Sequence, residues 1–153
     1  MEKVVLEEVI HKELILINSK AGNKDEILRE LIHLLHENHY IADEAAFLED
    51  VYLRETEGET GIGQGIAIPH GKSVSVETTT IAVATLEKPI KWETLDGEDV
   101  EVIILFAVKD SDINTTHVLL LQQVATLLAD EDFLDDLKGV TSVDEMYQLI
   151  TNK

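Results

Sequence analysis

The chain has no cysteine. That removes disulfides, thiolate zinc sites and cysteine nucleophiles together. Basic residues are scarce: 12 Lys and Arg stand against 31 Asp and Glu, a formal net charge of −19. Nucleic acid or an anionic membrane would be repelled, while docking to a basic partner is favoured. Long uncharged apolar runs are missing from the N-terminus, MEKVVLEEVIHKELILINSK, so it is neither a signal peptide nor a membrane span. A cytoplasmic protein is expected. No repeat, low-complexity tract or linker interrupts residues 1–153, which are expected to form one domain. With 44% hydrophobic and 28% charged residues, the chain has the means to build a core.

What is present centres on Thr60 to Lys72, TGIGQGIAIPHGK. Gly61, Gly63 and Gly65 permit backbone angles closed to other residues and close approach of other groups. Pro69 fixes its own φ and pushes Ile68 into extended geometry. His70 therefore follows a stiff segment and precedes a pliant Gly71, which presents one imidazole at a defined point, expected on an exposed loop. A neutral ring nitrogen there is available as nucleophile or ligand. A P-loop is excluded, because Gly71-Lys72-Ser73 would need its first glycine at position 66, which is Ile66. A dinucleotide fingerprint fails at the same isoleucine.

Around this stretch, helices and strands alternate. Leu14 to Ile17 reads as a buried strand. Asn23 with Glu26 caps a helix carrying Ile27, Leu28, Leu31, Leu34 and Leu35 to about His39. Asp43 caps a second helix, with Ala46, Phe47, Val51 and Leu53 inward, ending near Glu57-Gly58. Thr78 to Leu86 is β-branched and reads as a strand broken by Pro89. Ile90 to Trp92 suits an edge strand before an Asp96-Gly97 turn. Val102 to Val108 is apolar on both faces, as in a covered central strand. Asn114 or Thr115 caps a helix to Ala129, apolar round most of its girth and expected to be largely buried. Ser142 with Glu145 caps a last helix, Val143 to Ile150. The fold class is α/β: a mixed sheet of about five strands with helices on both faces.

Other candidates compete with plainer readings. His33, His36 and His39 recur every three residues, about 60° apart round the axis. A transition metal could bridge two of them, or they form a solvated face. His11 reads as exposed. His117, in the first turn of its helix, should be neutral and able to donate a hydrogen bond, or it merely covers the helix end. Arg54 has a fork suited to a phosphoryl group, but from spacing alone a salt bridge to Asp50 or Glu57 is the better reading.

TGIGQGIAIPHGK closely resembles the phosphorylation-site segment of enzyme IIA domains of the sugar phosphotransferase system, fructose/mannitol class. The resemblance extends to L-R-E at 53–55, K-P-I-K-W-x-T-L-D-G-E-D-V at 88–100 and H-V-L-L-L-Q-Q-V-A-T-L-L at 117–128, nearly the whole chain. It implies the mannitol-type IIA fold. It implies that His70 takes a phosphoryl group at its tele nitrogen from the phosphohistidine of HPr and passes it to a cysteine on a IIB component. IIB then phosphorylates sugar during transport by the membrane IIC component. His117 matches the second active-site histidine and Arg54 the site's arginine; no cofactor or metal is implied. Glycine N–H groups are expected to add an anion nest. Two functions share this chemistry: a sugar-transport phosphocarrier, of fructose type, or a stand-alone nitrogen-type regulatory IIA protein. A metal-binding module using the helix histidines is the unrelated third.

Overall fold

The computed structural model describes residues 6–112 and 116–151. Its centre is a mixed six-stranded sheet with strand order β1-β5-β6-β3-β2, and β4 also pairs with β6. The strands are β1 (Ile10–Ser19), β2 (Gly61–Gly63), β3 (Ile66–Ala67), β4 (His70–Ser73), β5 (Thr80–Ile90) and β6 (Val100–Lys109). β5 runs antiparallel to β6 and parallel to β1. β3 and β4 lie end to end along the other side of β6, both parallel to it, separated by Ile68-Pro69.

Period-two alternation along β5 and β6 divides the apolar residues between two cores. Ala82, Ala84, Ile103, Leu105 and Ala107 face helices α2 (Lys24–Glu37) and α3 (Glu44–Glu55). Ile81, Val83, Val102, Ile104, Phe106 and Val108 face α4 (Thr116–Leu128), α5 (Glu131–Lys138) and α6 (Val143–Thr151). A four-residue helix, α1 (Leu6–Val9), precedes β1. Helices thus cover both faces, as expected, and the sheet has six strands because the glycine stretch itself supplies short ones.

The expected caps form. Asn23 Oδ1 accepts from Glu26 N at 2.9 Å, Asp43 Oδ1 from Ala46 N at 3.1 Å and Ser142 Oγ from Glu145 N at 3.1 Å. Behind the first cap, Ile27, Leu28, Leu31, Ile32 and Leu35 are fully buried, an i, i+4 stripe that seats α2 on the sheet. The expected cap at Asn114 or Thr115 lies outside the described residues.

Five expectations fail locally. Pro89 does not end its strand: β5 continues to Ile90, which pairs with Val100 after a register shift beyond Thr85. An irregular stretch of ladder spares the N–H that proline lacks. Trp92 lies outside the strand and is buried. α4 is not sunk in the core: Leu120, Val124 and Leu128 form one buried stripe, while Val118 is 47% exposed and Ala125 is exposed. Leu53 points out rather than in, and His11 is half-buried, stacked on Tyr40 at 5.3 Å.

Candidate functional site

The glycine stretch folds as a hairpin. β2 and β3 pair antiparallel across Gln64 and Gly65, whose φ values of 57° and 82° are both left-handed. Such a turn matches strand twist but strains a non-glycine residue. Asp96 holds it: Oδ2 accepts from Gln64 N at 3.0 Å. Hydrogen bonds from the Gln64 and Glu98 backbones draw the Asp96 carboxyl below the usual carboxylate range. At the hairpin base, Gly61 N donates to Glu93 O at 3.1 Å, and Leu95 N donates to Gly61 O at 2.9 Å. A Cβ on Gly61 would lie 2.2 Å from Thr94 Cγ2 and 2.8 Å from Glu93 O, so this glycine is required by close backbone approach. The N–H groups of Gly61 and Gln64 are engaged, and a carboxylate occupies the hairpin tip.

From the hairpin the chain runs to His70, the first residue of β4, beside Phe106 on β6. Phe106 N donates to Pro69 O at 2.9 Å, so proline contributes its carbonyl where it has no N–H to give. The imidazole lies edge-on to the Phe106 ring, centroids 5.9 Å apart. His70 is not on an exposed loop; only 6% of its surface is exposed, at the start of a strand. Its Nδ1 lies 2.7 Å from Ile68 O. A carbonyl oxygen only accepts, so Nδ1 carries the hydrogen and, in the neutral ring, Nε2 carries the lone pair.

Gly71 brings the next element close. Its Cβ would meet Phe47 Cε1 at 2.8 Å and Val51 Cγ2 at 2.9 Å, so α3 rests directly on β4. One turn beyond Val51 stands Arg54, half-buried in the last turn of α3. Its Nη1 donates to Gly58 O at 3.3 Å. The salt bridge to Asp50 or Glu57 that spacing favoured is not formed; among the described residues no carboxylate lies within 4.0 Å of this guanidinium. The fold therefore packs the arginine's helix on the histidine's strand and leaves the cation without an acidic partner there. His117 is the second residue of α4, whose inner stripe joins the same core as Phe106; its side chain lies outside the described residues.

The helix histidines take a different arrangement. His33 Nδ1 and His36 Nδ1 approach one oxygen, Glu44 Oε2, at 3.2 and 3.0 Å. The hydrogen bond to Glu44 and the charge of Glu37 raise the His33 pKa above its ordinary value. Among the described residues no group of three or more His, Asp or Glu is arranged to hold a metal ion.

Sequence reasoning missed a buried polar network below the hairpin. Trp92 Nε1 donates to Thr60 Oγ1 at 3.0 Å, and Thr60 Oγ1 donates to Glu55 Oε2 at 2.6 Å. Glu55 Oε1 meets Lys24 Nζ at 2.5 Å, and that ammonium also reaches Glu93 at 2.7 Å. Burial alone would lower the Lys24 pKa, but the bonds to Glu55 and Glu93 outweigh it and hold the pKa above its usual value. The sole tryptophan, within K-P-I-K-W-x-T-L-D-G-E-D-V, was the available signal.

Among the described residues no helix is long and apolar enough to cross a membrane. The chain is 35% identical over 144 residues to the 2-O-alpha-mannosyl-D-glycerate-specific EIIABC component of the PTS system of Escherichia coli K12. That alignment covers 94% of the chain but 22% of the relative, so the chain spans about a fifth of its length. The crystal structure of nitrogen regulatory protein IIA-Ntr from Neisseria meningitidis is similar with a TM-score of 0.82 and 26% identity, covering 95% of this chain and 98% of that one. A chain of the complex of enzyme IIAMTL and phosphorylated enzyme IIBMTL from Escherichia coli has a TM-score of 0.78 at 23% identity, covering 94% and 98%, and shares the fold. A family model described as phosphoenolpyruvate-dependent sugar phosphotransferase system, EIIA 2, matches residues 8–153. The chain therefore belongs to the EIIA 2 family of the phosphoenolpyruvate-dependent sugar phosphotransferase system.

Proposed function

We propose that residues 1–153 are one IIA domain acting as a cytoplasmic phosphocarrier, with His70 as its phosphoryl acceptor. The observation that carries this is the 2.7 Å contact between His70 Nδ1 and Ile68 O, which fixes the tautomer and leaves the lone pair on Nε2. In the proposed step Nε2 attacks the phosphorus of the phosphohistidine of HPr. The Nε2–P bond forms, the donor's N–P bond breaks, and its electron pair returns to the donor ring. The hydrogen stays on Nδ1 throughout, donated to the Ile68 carbonyl. In the second step a cysteine thiolate of a IIB component attacks phosphorus and His70 Nε2 recovers its pair.

Such transfers depend on positioning and charge stabilisation more than on covalent assistance. Arg54, without an acidic partner among the described residues, is assigned to the equatorial phosphoryl oxygens. His117 is assigned as a hydrogen-bond donor to one of those oxygens. Neither step calls for a cofactor, since donor and acceptor are side chains. We assign the chain to sugar uptake and phosphorylation, of fructose type, with the membrane reached only through IIC. The regulatory reading has one observation in its favour: the likeness to the crystal structure of nitrogen regulatory protein IIA-Ntr from Neisseria meningitidis, at a TM-score of 0.82 and 26% identity.

Incubation with phosphorylated HPr should leave acid-labile phosphate on His70. Retention of label by His70→Ala would end the assignment. Arg54→Ala should slow transfer about 100-fold, the loss seen when one stabilising donor is removed, and His117→Ala should slow it less. Deletion of the gene should reduce uptake of one sugar; unchanged uptake of every sugar, with partner binding that depends on phosphorylation, selects the regulator.

A further inference from the structure

The connection between α3 and the hairpin, residues 56–60, is gripped from both sides by neighbouring residues of one helical turn. Arg54 Nη1 holds the Gly58 carbonyl at 3.3 Å. Glu55 Oε2 holds the Thr60 hydroxyl at 2.6 Å. Glu55 is itself fixed: its side chain is 6% exposed and its other oxygen meets Lys24 at 2.5 Å. Thr60 is 1% exposed, accepts from Trp92, and its carbonyl accepts from Ile68 N at 2.8 Å. Ile68 is the residue whose carbonyl takes the His70 Nδ1 hydrogen.

One chain of contacts therefore runs from Glu55 through Thr60 and Ile68 to the His70 ring, while the same short connection carries the Gly58 carbonyl that orients Arg54. A buried ion pair of this kind contributes little net stability, because desolvation offsets the attraction. Its geometry is what it supplies.

We propose that Glu55 and Thr60 form a positioning pair for phosphoryl transfer, setting the Gly58 carbonyl and hence the Arg54 guanidinium relative to His70. This rests on the assignment of Arg54 to the phosphoryl group above. Neither residue touches the reacting atoms; both act through Arg54.

The test is a double-mutant cycle on single-turnover transfer from phosphorylated HPr. Thr60→Val removes the hydroxyl at nearly constant volume. It should slow transfer about tenfold in the wild-type background and less than about twofold in Arg54→Ala, because residues acting through one group are non-additive. Thr60→Ser, which keeps the hydroxyl, should restore the rate. Equal fold losses in both backgrounds would overturn the proposal, since a merely structural defect acts whether or not Arg54 is present. Should Thr60→Val not fold, Glu55→Gln serves, with the same non-additivity expected and the same refuting outcome. A second readout does not need transfer: the NMR signal of Arg54 Nε–H should shift in Thr60→Val and return in Thr60→Ser. An unmoved signal overturns the positioning role. A shifted signal in a chain that takes no phosphate on His70 would instead overturn the phosphocarrier reading.

Discussion

Gly71→Ala tests how the site is assembled. Its effect can be worked from contact distances alone. A Cβ at Gly71 would lie 2.8 Å from Phe47 Cε1, 3.1 Å from Phe47 Cζ and 2.9 Å from Val51 Cγ2. Phe47 and Val51 are fully buried, so neither side chain can swing into solvent. Helix α3 must instead retreat from β4. Overpacking a filled core by one methyl costs about 1–3 kcal/mol. At a urea slope of about 2 kcal/mol/M, that lowers the unfolding midpoint by about 0.5–1.5 M with the slope unchanged. The same retreat carries Arg54 away from His70, and a misplacement of about 1 Å can cost on the order of 100-fold in rate. Urea denaturation and transfer from phosphorylated HPr should therefore both show a loss. Adding Val51→Ala removes the clashing Cγ2 but leaves Phe47 Cε1 at 2.8 Å, so it should recover part of the transfer rate, though not the stability, since it also deletes buried methyls. A Gly71→Ala protein with wild-type midpoint and rate would refute the claim that α3 is seated by that glycine. So would a double variant no faster than the single.

Gly61→Ala places a Cβ 2.8 Å from a main-chain oxygen, Glu93 O, as well as 2.2 Å from Thr94 Cγ2, so backbone has to move. It should destabilise by about 3 kcal/mol, read as a fall in Tm of roughly 6–12 °C. Burial and the hydrogen bond to Asp25 raise the Tyr52 pKa to about 12. Asp25→Asn should bring its titration, followed at 295 nm, down towards the ordinary value near 10. Because the folded-state pKa is the higher one, the stability linked to Tyr52 is fully present below about pH 10 and is lost as pH rises through about 12. The Asp25 pKa is lowered, first by the Tyr52 hydrogen bond and then by Arg29. Its contribution has the opposite sense: present above the unfolded pKa near 3.9 and lost as pH falls below it, which acid titration of stability in Asp25→Asn against wild type would reveal.

The parts of the fold that the sequence revealed are those governed by neighbours in the chain. The Asn23 cap with its buried stripe, the Asp43 and Ser142 caps, and the two-faced apolar run of β6 are set within a few residues. Pro89 deceived because its tolerance depends on a register shift against β6, a property of the partner strand. α4 looked buried because apolar content says nothing about which side another element covers; among its described side chains only the Leu120, Val124 and Leu128 stripe is buried. At the site, His70 and Arg54 were legible as residue types and as a resemblance. The absence of an acidic partner for Arg54 among the described residues was not, because local spacing offered Asp50 and Glu57. Glu55, Thr60 and Trp92 escaped notice because Trp92 joins the other two across 32 residues from Thr60.

His70 begins the strand laid against Phe106, on the innermost strand of the sheet. Amides on such strands exchange with solvent only through near-global opening, whereas loops open at little cost. The histidine is thus tied to the slowest-exchanging part of the molecule. The proposed donor and acceptor, arriving in turn, would meet the same fixed ring, and fraying of a surface loop would not alter what either of them encounters.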